Sequence, residues 1–334
     1  MKCVELTTVA DDFVVFHDGT TTTRFHDLQP ATTYTLMGVD VTTLARPPGE
    51  LLCRFATVND LHFGETEAGR IDNHREGPIQ RQEPGEQPYP ETMNRAAARE
   101  MSAIDPAAVV VKGDLTNDGQ PEEFAAFDAC YVGEFGDRLH VVRGNHDSYR
   151  KQSAYTGDQW IELPGIAVAL IDTAIPEHTT GNVSDDQLEW LDEHLARSDR
   201  PTIVMGHHQQ WISGNRSASY FGIRPDTSEA LSNAIAQRPN AIAYTAGHTH
   251  RHRIRAMACG VPSIEVGCVK DFPGVWAEYR VYEGGVTQVV HRISDPAALA
   301  WSERCRHLYS DFGLDYQTYA MGRLEHRCCN IPLR

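Results

Sequence analysis

Short clusters of Asp, His and Asn stand where apolar runs of the chain end. Residues 144–147 read Gly-Asn-His-Asp and follow the apolar run from Leu139 to Val142. An apolar run of this length predicts a buried strand, and the polar residues after it predict a loop. Four more clusters share this context, namely Asp60-Leu61-His62, Gly113-Asp114, Gly206-His207-His208 and Gly247-His248-Thr249-His250. Together the five clusters predict one metal site.

The donor types indicate which ions the site would hold. Carboxylate, imidazole and amide oxygen donors without thiolates suit Mn, Fe or Zn, and the donors are too many for one ion, so we expect two. Two divalent ions carry about four positive charges, against about three negative charges from Asp60, Asp114 and a bridging hydroxide. The site is therefore expected to be cationic and to bind an anionic substrate, in a chain of formal net charge -16.

Taken alone, the carboxylates and the first histidine pair have structural alternatives. Asp60 and Asp114 could be turn residues or helix caps. His207 and His208 are adjacent, so on a continuing strand they point to opposite sides and only one can face the site. The Gly-His spacing favours His207 as the ligand.

The second histidine pair has a different spacing. His248 and His250 are two residues apart, which places both on one side of an extended segment, as a shared site requires. His252 continues that face, and we expect it to be exposed to solvent or to contact phosphate. The remaining histidines are interpreted as surface or packing residues.

Alternating strand and helix signals must position these clusters. Strands are predicted over residues 51–58, 107–111, 139–142, 166–171, 202–205 and 241–245. Helices are predicted over residues 91–104, after Pro121, from Ser184 to Ala196 with a capping box to Gln187, and from Asp226 or Thr227 to about residue 237. This alternation is typical of an α/β layered fold with its site at the carboxyl ends of the strands.

Three segments are predicted along the chain. Residues 1–50 form a small β unit, in which residues 28–36 resemble the tyrosine-corner segment of a fibronectin type III domain, so we expect a truncated module of that kind. Residues 51–294 form the main domain, which ends in an antiparallel hairpin over 275–282 and 286–293. A helix from Asp295 to about Tyr309 and an unassigned tail occupy 295–334. Residues 64–90, polar and rich in Gly and Pro, are either a substrate-facing flap or a disordered insertion.

Composition excludes several classes of partner. With 30 basic and 46 acidic side chains, nucleic acid and anionic membranes are not expected as partners. The 8 cysteines form no C-x-x-C pair, which predicts reduced thiols and a cytoplasmic protein. We see no targeting segment and no apolar run of the roughly 18 residues that a bilayer span requires.

The motifs D-x-H, G-D, G-N-H-D, G-H and G-H-x-H occur in this order between residues 60 and 250. This pattern resembles the calcineurin-like metallophosphoesterase superfamily. The resemblance implies a four-layer α-β-β-α sandwich of two sheets flanked by helices. It also implies two metal ions that share Asp114. The implied ligands are Asp60, His62, Asp114 and His250 for one ion and Asp114, Asn145, His207 and His248 for the other.

The same resemblance implies a mechanism. His146 would remain unligated beside the metals, where it protonates the departing alkoxide or stabilises the charge on phosphorus. Asp147 would orient His146. A hydroxide that bridges the metals would be the nucleophile, so no covalent enzyme intermediate is required.

A narrower resemblance concerns residues 171–173 and 181–191, which look like the corresponding stretch of class III cyclic-nucleotide phosphodiesterases and bacterial glycerophosphodiesterases. Gln209-Gln210 and Arg143 depart from those relatives. We therefore expect a phosphodiesterase that acts on a small phosphorylated substrate, nucleotide-like or glycerol-based, and that can form a homo-oligomer. The alternatives are a phosphomonoesterase, a non-catalytic interaction scaffold and a nuclease, which the acidic balance disfavours.

Overall fold

The computed structural model describes residues 4–71 and 77–334. The strands are β1 (Glu5–Val9), β2 (Val14–Asp18), β3 (Thr21–Phe25), β4 (Thr33–Leu36), β5 (Val39–Thr42), β6 (Leu51–Val58), β7 (Val109–Lys112), β8 (Leu139–Val142), β9 (Gln159–Leu163), β10 (Ile166–Leu170), β11 (Thr202–Met205), β12 (Ala241–Ala246), β13 (Arg253–Ala256), β14 (Pro262–Glu265), β15 (Val275–Tyr282), β16 (Gly285–Arg292) and β17 (Cys328–Pro332). The helices are α1 (Tyr89–Ser102), α2 (Pro121–Phe127), α3 (Gly133–Phe135), α4 (Asp185–Arg197), α5 (Pro225–Gln237), α6 (Pro296–Arg304), α7 (Tyr316–Met321) and α8 (Leu324–Arg327).

Two six-stranded sheets face each other. The first sheet has the order β17-β16-β15-β6-β7-β8, and the second sheet has the order β13-β14-β12-β11-β10-β9. Helices α1, α2 and α6 share a buried cluster with the outer face of the first sheet, and α4 and α5 share one with the outer face of the second. A third cluster lies between the sheets. The four-layer α-β-β-α sandwich is thus confirmed.

Strand periodicity explains why these apolar runs are buried on both faces. In β7, Val109 and Val111 pack with the helices, whereas Val110 packs between the sheets. In β11, Ile203 and Met205 face the inner core and Val204 faces α4 and α5. Because successive side chains of a strand point to opposite faces, a strand covered on both sides needs a continuous apolar run.

The start of one helix is as predicted, and the start of another differs by one or two residues. Ser184 and Gln187 form the predicted capping box of α4, through a Gln187 N to Ser184 Oγ hydrogen bond of 3.2 Å. In contrast, α5 begins at Pro225, so Asp226 and Thr227 lie inside the helix. The fixed φ of proline suits the first helical position, which explains this earlier start.

The two ends of the chain pack on the sandwich and on each other, since Arg306 Nη1 is 2.6 Å from Glu5 Oε1. The N-terminal unit (residues 4–50) forms a three-stranded sheet and a two-stranded sheet, and in it the Gln29 N–H donates to Tyr34 Oη at 2.9 Å. The C-terminal segment (residues 296–334), whose tail had no assignment, continues through α7 and α8 and adds β17 antiparallel to β16. The module boundaries at residues 50 and 294, and the fibronectin-like origin of the N-terminal unit, stay predictions.

The segment 64–90 is described except for its centre, since residues 72–76 lie outside the described residues. Within this segment, Ala68 and Gln80 pair through an antiparallel bridge. The Asp311 N–H donates to the Gly77 carbonyl at 2.9 Å, so this segment packs on the C-terminal segment. Its function as a flap stays a prediction. Across residues 4–71 and 77–334, no helix is long and apolar enough to cross a membrane.

Candidate metal centre

The ends of parallel strands bring the predicted site residues together. In the first sheet β6, β7 and β8 run parallel, and in the second β10, β11 and β12 run parallel. The loops after β6 and β12 meet directly, because the His248 N–H donates to both carboxylate oxygens of Asp60 at 3.1 Å. The Gly247 N–H donates to the His207 carbonyl at 2.9 Å. One site is therefore assembled from both sheets.

One half of the site is formed by the loops after β6 and β12. The side-chain donor atoms of Asp60, His62 and His250 lie within 4.8 Å of one another. Nε2 of His250 is 3.6 Å from Asp60 Oδ1, and Nε2 of His62 is 3.5 Å from Asp114 Oδ2. These distances are too long for good hydrogen bonds but suit donors that share an ion.

The other half of the site surrounds His207. Its Nε2 is 3.1 Å from Asn145 Oδ1 and 3.2 Å from Asp114 Oδ2. Its Nδ1 is 2.8 Å from the Lys112 carbonyl, so Nδ1 carries the proton and Nε2 is left as a metal donor. The Asn145 amide group donates to Tyr149 Oη at 2.6 Å, which leaves its oxygen for the site.

In this half of the site the buried Asp114 carboxylate favours a positive charge beside it. Burial lowers the pKa of His207, but the Asp114 carboxylate outweighs burial and raises that pKa to about 9. The same contact holds the pKa of Asp114 well below its usual range, against the effect of burial. Without a metal, a proton supplies the charge that compensates Asp114; a cation of higher charge can replace that proton.

Several imidazole nitrogens at the site lack a protein partner. Within residues 4–71 and 77–334, both ring nitrogens of His62 and the Nε2 atoms of His208 and His248 are buried without a hydrogen bond. Buried polar atoms are normally satisfied, and lone pairs on clustered imidazoles are natural metal donors. The donor set thus fits divalent metal ions.

Five residues of the site share the same strained backbone conformation. Left-handed φ angles occur at Asp60 (56°), His62 (49°), Asp114 (53°), His248 (66°) and His250 (53°). Each such residue costs on the order of 1 kcal/mol, and such costs persist where the surrounding structure enforces them, most often at functional sites. These residues follow the strand ends, and their side chains meet at the site.

Glycines allow the metal-site loops to approach closely. A Cβ at Gly144 would lie 2.2 Å from Asp114 Oδ1, and a Cβ at Gly113 would lie 2.7 Å from the His207 ring. Both distances are shorter than any real Cβ contact, so the site closes only with glycine at these positions.

His146 and Asp147 have different surroundings from those that the sequence predicts. The His146 ring lies 4.4 Å from the His62 ring, and its Nδ1 is 2.6 Å from the Asn117 carbonyl. Asp147 accepts hydrogen bonds from the backbone of Leu115, Thr116 and Gly144 and from the Thr116 hydroxyl. The group that orients His146 is thus the Asn117 carbonyl, whereas Asp147 ties the loop of Gly144 to the loop of Asp114.

The sequence did not reveal several further residues at the site. Only one of His207 and His208 was expected to face the site on a continuing strand, but β11 ends at Met205, and the donor nitrogens of His207, His208 and His248 lie within 4.8 Å of one another. His208 Nδ1 is 2.8 Å from Thr173 Oγ1. Cys268 and Asp271 have donor atoms near that of His250, on a loop without any motif. The expectation that His252 is exposed is wrong, because this residue is buried and its Nδ1 accepts a hydrogen bond from the Gly267 N–H at 3.2 Å; its contact with phosphate stays a prediction.

Comparison with known proteins identifies the family. Residues 53–252 match the model of the calcineurin-like phosphoesterase family. The chain belongs to this family. A probable cyclic nucleotide phosphodiesterase of Synechococcus is 28% identical over 168 residues, covering 48% of this chain and 65% of that protein. The glycerophosphodiester phosphodiesterase GpdQ of Enterobacter lignolyticus is 27% identical over 159 residues, covering 43% of this chain and 56% of that protein.

A solved structure agrees with this membership at the level of the fold. A dimetal phosphatase from Danio rerio superposes with a TM-score of 0.55 at 16% identity, covering 74% of this chain and 98% of that one. The chain spans less than two thirds of the length of the two curated relatives that it matches.

Proposed function

We propose that this protein is a dinuclear metal-dependent phosphodiesterase of small molecules, either nucleotide-like or glycerol-based. The observation that supports it most is the convergence of Asp60, Asp114, Asn145 and four histidines on one centre, where several buried imidazole nitrogens have no protein partner. Family membership and the phosphodiesterase names of the relatives agree with this function.

The residues divide into two sets of donors. Asp60, His62, Asp114 and His250 would hold one ion, and Asp114, Asn145, His207 and His248 would hold the other. Asp114 fits the shared position because it lies near both His62 and His207, at 3.5 Å and 3.2 Å. Mn, Fe and Zn all suit this donor set. Bound ions would neutralise phosphoryl charge and lower the pKa of the attacking water.

His146 would move a proton during the reaction. With Nδ1 held by the Asn117 carbonyl at 2.6 Å, Nε2 is the atom that can exchange a proton with the substrate. The backbone N–H of His146 also donates to Asp114 Oδ1 at 3.0 Å, so the loop that carries His146 is held against the shared carboxylate. We assign to His146 the protonation of the leaving alkoxide.

Asp147 would hold two loops of the site in place. Its carboxylate joins the loops of Gly144 and Leu115, and these loops carry Asn145, His146 and Asp114. Loss of this carboxylate would leave buried N–H groups without acceptors and loosen both loops at once.

The experiment compares initial rates of the Mn-reconstituted protein on an aryl phosphodiester and an aryl phosphomonoester, with His146→Ala as the control variant. We expect preference for the diester and a kcat lowered about 100-fold or more in the variant. Preference for the monoester would assign the protein as a phosphatase instead. Absence of turnover with Mn, Zn and Fe would favour the interaction scaffold.

Metal binding has a readout of its own. Wild-type protein should gain thermal stability on addition of Mn, because a ligand that binds only the folded state shifts the unfolding equilibrium. Asp114→Ala should abolish that gain. An equal gain in both proteins would contradict the assignment of Asp114 to the metal centre.

A cytoplasmic location and a homo-oligomeric state remain part of the proposal. The cysteine spacing supports the first, and cell fractionation tests it. Light scattering on purified protein tests the second.

A further inference from the structure

An exposed phenyl ring lies against one of the histidines of the metal centre. The ring centroid of Phe221 is 4.0 Å from that of His248, and the two planes are 28° apart. His248 is buried, whereas Phe221 is 52% exposed. The phenyl ring therefore covers the imidazole on one side and remains open to solvent elsewhere.

The backbone around this ring is held from two directions. The Gln209 side-chain amide donates to the Phe221 carbonyl, and the Ile223 N–H donates to the Gln209 carbonyl at 2.9 Å. On the other side, the Gly181 N–H donates to the Gly222 carbonyl at 2.8 Å. The position of Phe221 is therefore tied to the loop that follows β11, which also carries His207.

Glycine at position 222 is part of this arrangement. Its φ is +145°, and a Cβ there would lie 2.7 Å from the Gln209 amide nitrogen. Only glycine lets the chain pass this close to Gln209 while it presents Phe221 over His248.

A large apolar ring at the mouth of a polar site has a defined chemical use. An exposed phenyl face gains free energy when a flat apolar group stacks on it. Nucleobases stack on aromatic side chains independently of base identity, whereas a glycerol group is polar and has no flat face. The ring also lies beside His248, so a group stacked on it would be close to a phosphoryl group bound at the centre.

We propose that Phe221 is a stacking surface for the base of a nucleotide substrate, and that it makes this protein select cyclic nucleotides over glycerophosphodiesters. This inference rests on the proposed phosphodiesterase function and specifies its substrate class. Gln209 and Gly222 act as positioning residues for the ring.

The experiment measures kcat and KM for 3′,5′-cyclic AMP and for glycerophosphoglycerol, a diester with neither an aromatic ring nor a cation. Wild-type protein is compared with Phe221→Leu and Phe221→Trp. Phe312→Leu is the matched control, because it makes the same change at a 39% exposed phenylalanine of the C-terminal segment. Dissociation constants for adenosine 5′-monophosphate and glycerol 3-phosphate, measured by calorimetry, and the metal content of each variant complete the set.

For Phe221→Leu we expect KM for cyclic AMP and the dissociation constant of adenosine 5′-monophosphate to rise about ten-fold. The kcat, the metal content and both constants for the glycerol compounds should stay within about two-fold of wild type. Phe221→Trp should retain the wild-type KM for cyclic AMP, and Phe312→Leu should behave as wild type.

Two results would overturn the inference: an unchanged KM for cyclic AMP in Phe221→Leu, or equal losses with both diesters. Both leave the proposed function standing as long as the wild-type protein hydrolyses diesters. Failure of the wild type to hydrolyse any diester would instead refute the proposed function itself.

Discussion

The N-terminal unit and the C-terminal segment both lie outside the residues that match the family and contact each other, but they differ in which other parts of the sandwich they cover. The N-terminal unit packs on β16 and β17 of the first sheet, where Ala10, Phe13 and Val15 share a cluster with Val289 and with Cys328 of the C-terminal segment. It also docks through Arg280 of β15, whose guanidinium contacts Asp11 and Asp12 at 2.5 and 2.8 Å.

The C-terminal segment reaches the metal centre. Tyr319 Oη donates to the Thr249 carbonyl at 3.0 Å, between His248 and His250. Tyr316 Oη donates to Asp271 at 2.9 Å, and a carboxylate oxygen of Asp271 lies near the donor nitrogen of His250. An added segment can thus affect the metal centre when it covers the carboxyl ends of the strands, where the ligands lie. We therefore expect the N-terminal unit to affect stability and the C-terminal segment to affect metal affinity.

The largest effect is expected at the interface of the N-terminal unit. Arg280→Met removes the cation from a buried cluster with Asp11 and Glu278, and it should lower the free energy of unfolding by about 3–5 kcal/mol. Mn affinity of the folded protein should not change. Chemical denaturation and metal titration measure the two quantities.

Arg46→Met is the matched control for Arg280→Met. Arg46 also pairs with Asp11, but its side chain is 46% exposed, so the expected loss is below about 1 kcal/mol. Equal losses in the two variants would show that burial does not determine the strength of this cluster.

The next effect is a pH dependence of the N-terminal unit. Burial, with a smaller contribution from the charge of Arg292, lowers the pKa of His17 from 6.5 to about 3. Below pH 6.5 the unfolded chain therefore binds a proton at His17 that the folded chain binds only near pH 3. The free energy of unfolding decreases as the pH is lowered between these two values. From pH 7 to pH 5 this contribution is about 2 kcal/mol.

His17→Gln tests that contribution by denaturation at both pH values. The Thr7 hydroxyl, which is 2.7 Å from His17 Nδ1, can still bind the glutamine amide. The variant should lose about 2 kcal/mol less than wild type between pH 7 and pH 5. Identical losses would place the acid sensitivity elsewhere in the chain.

The smallest effect is expected when a tyrosine hydroxyl is removed, and the same change can be made at both ends of the chain. Tyr316→Phe removes the hydroxyl that holds Asp271 beside the proposed ligand His250, and it should weaken Mn binding about ten-fold, at the low end of what loss of a group that supports a ligand costs. Tyr34→Phe removes a hydroxyl from the N-terminal unit, costs about 1 kcal/mol of stability and should leave Mn affinity unchanged. A weaker Mn affinity in both variants would contradict the division proposed here.

The layered fold and the residues that meet at its centre could be predicted from local sequence signals. Apolar runs such as Val109 to Val111 predict strands that are buried on both faces, and the polar residues that follow them mark the carboxyl ends of those strands. The hairpin of β15 and β16 and the capping box of Ser184 were also predictable. These signals are local, since each depends on residues within a few positions of one another.

The groups that surround that centre could not be predicted, because they come from segments that are distant in the sequence. The Asn117 carbonyl beside His146, Phe221 over His248 and Tyr316 on Asp271 are contacts between segments with no motif in common. His252 fits the alternation of an exposed strand, but it is buried where the C-terminal segment packs against it, and the Ala320 carbonyl of that segment accepts its N–H at 3.0 Å. Periodicity reports which face of an element a residue occupies, and the element that covers that face is set by the packing of distant parts of the chain.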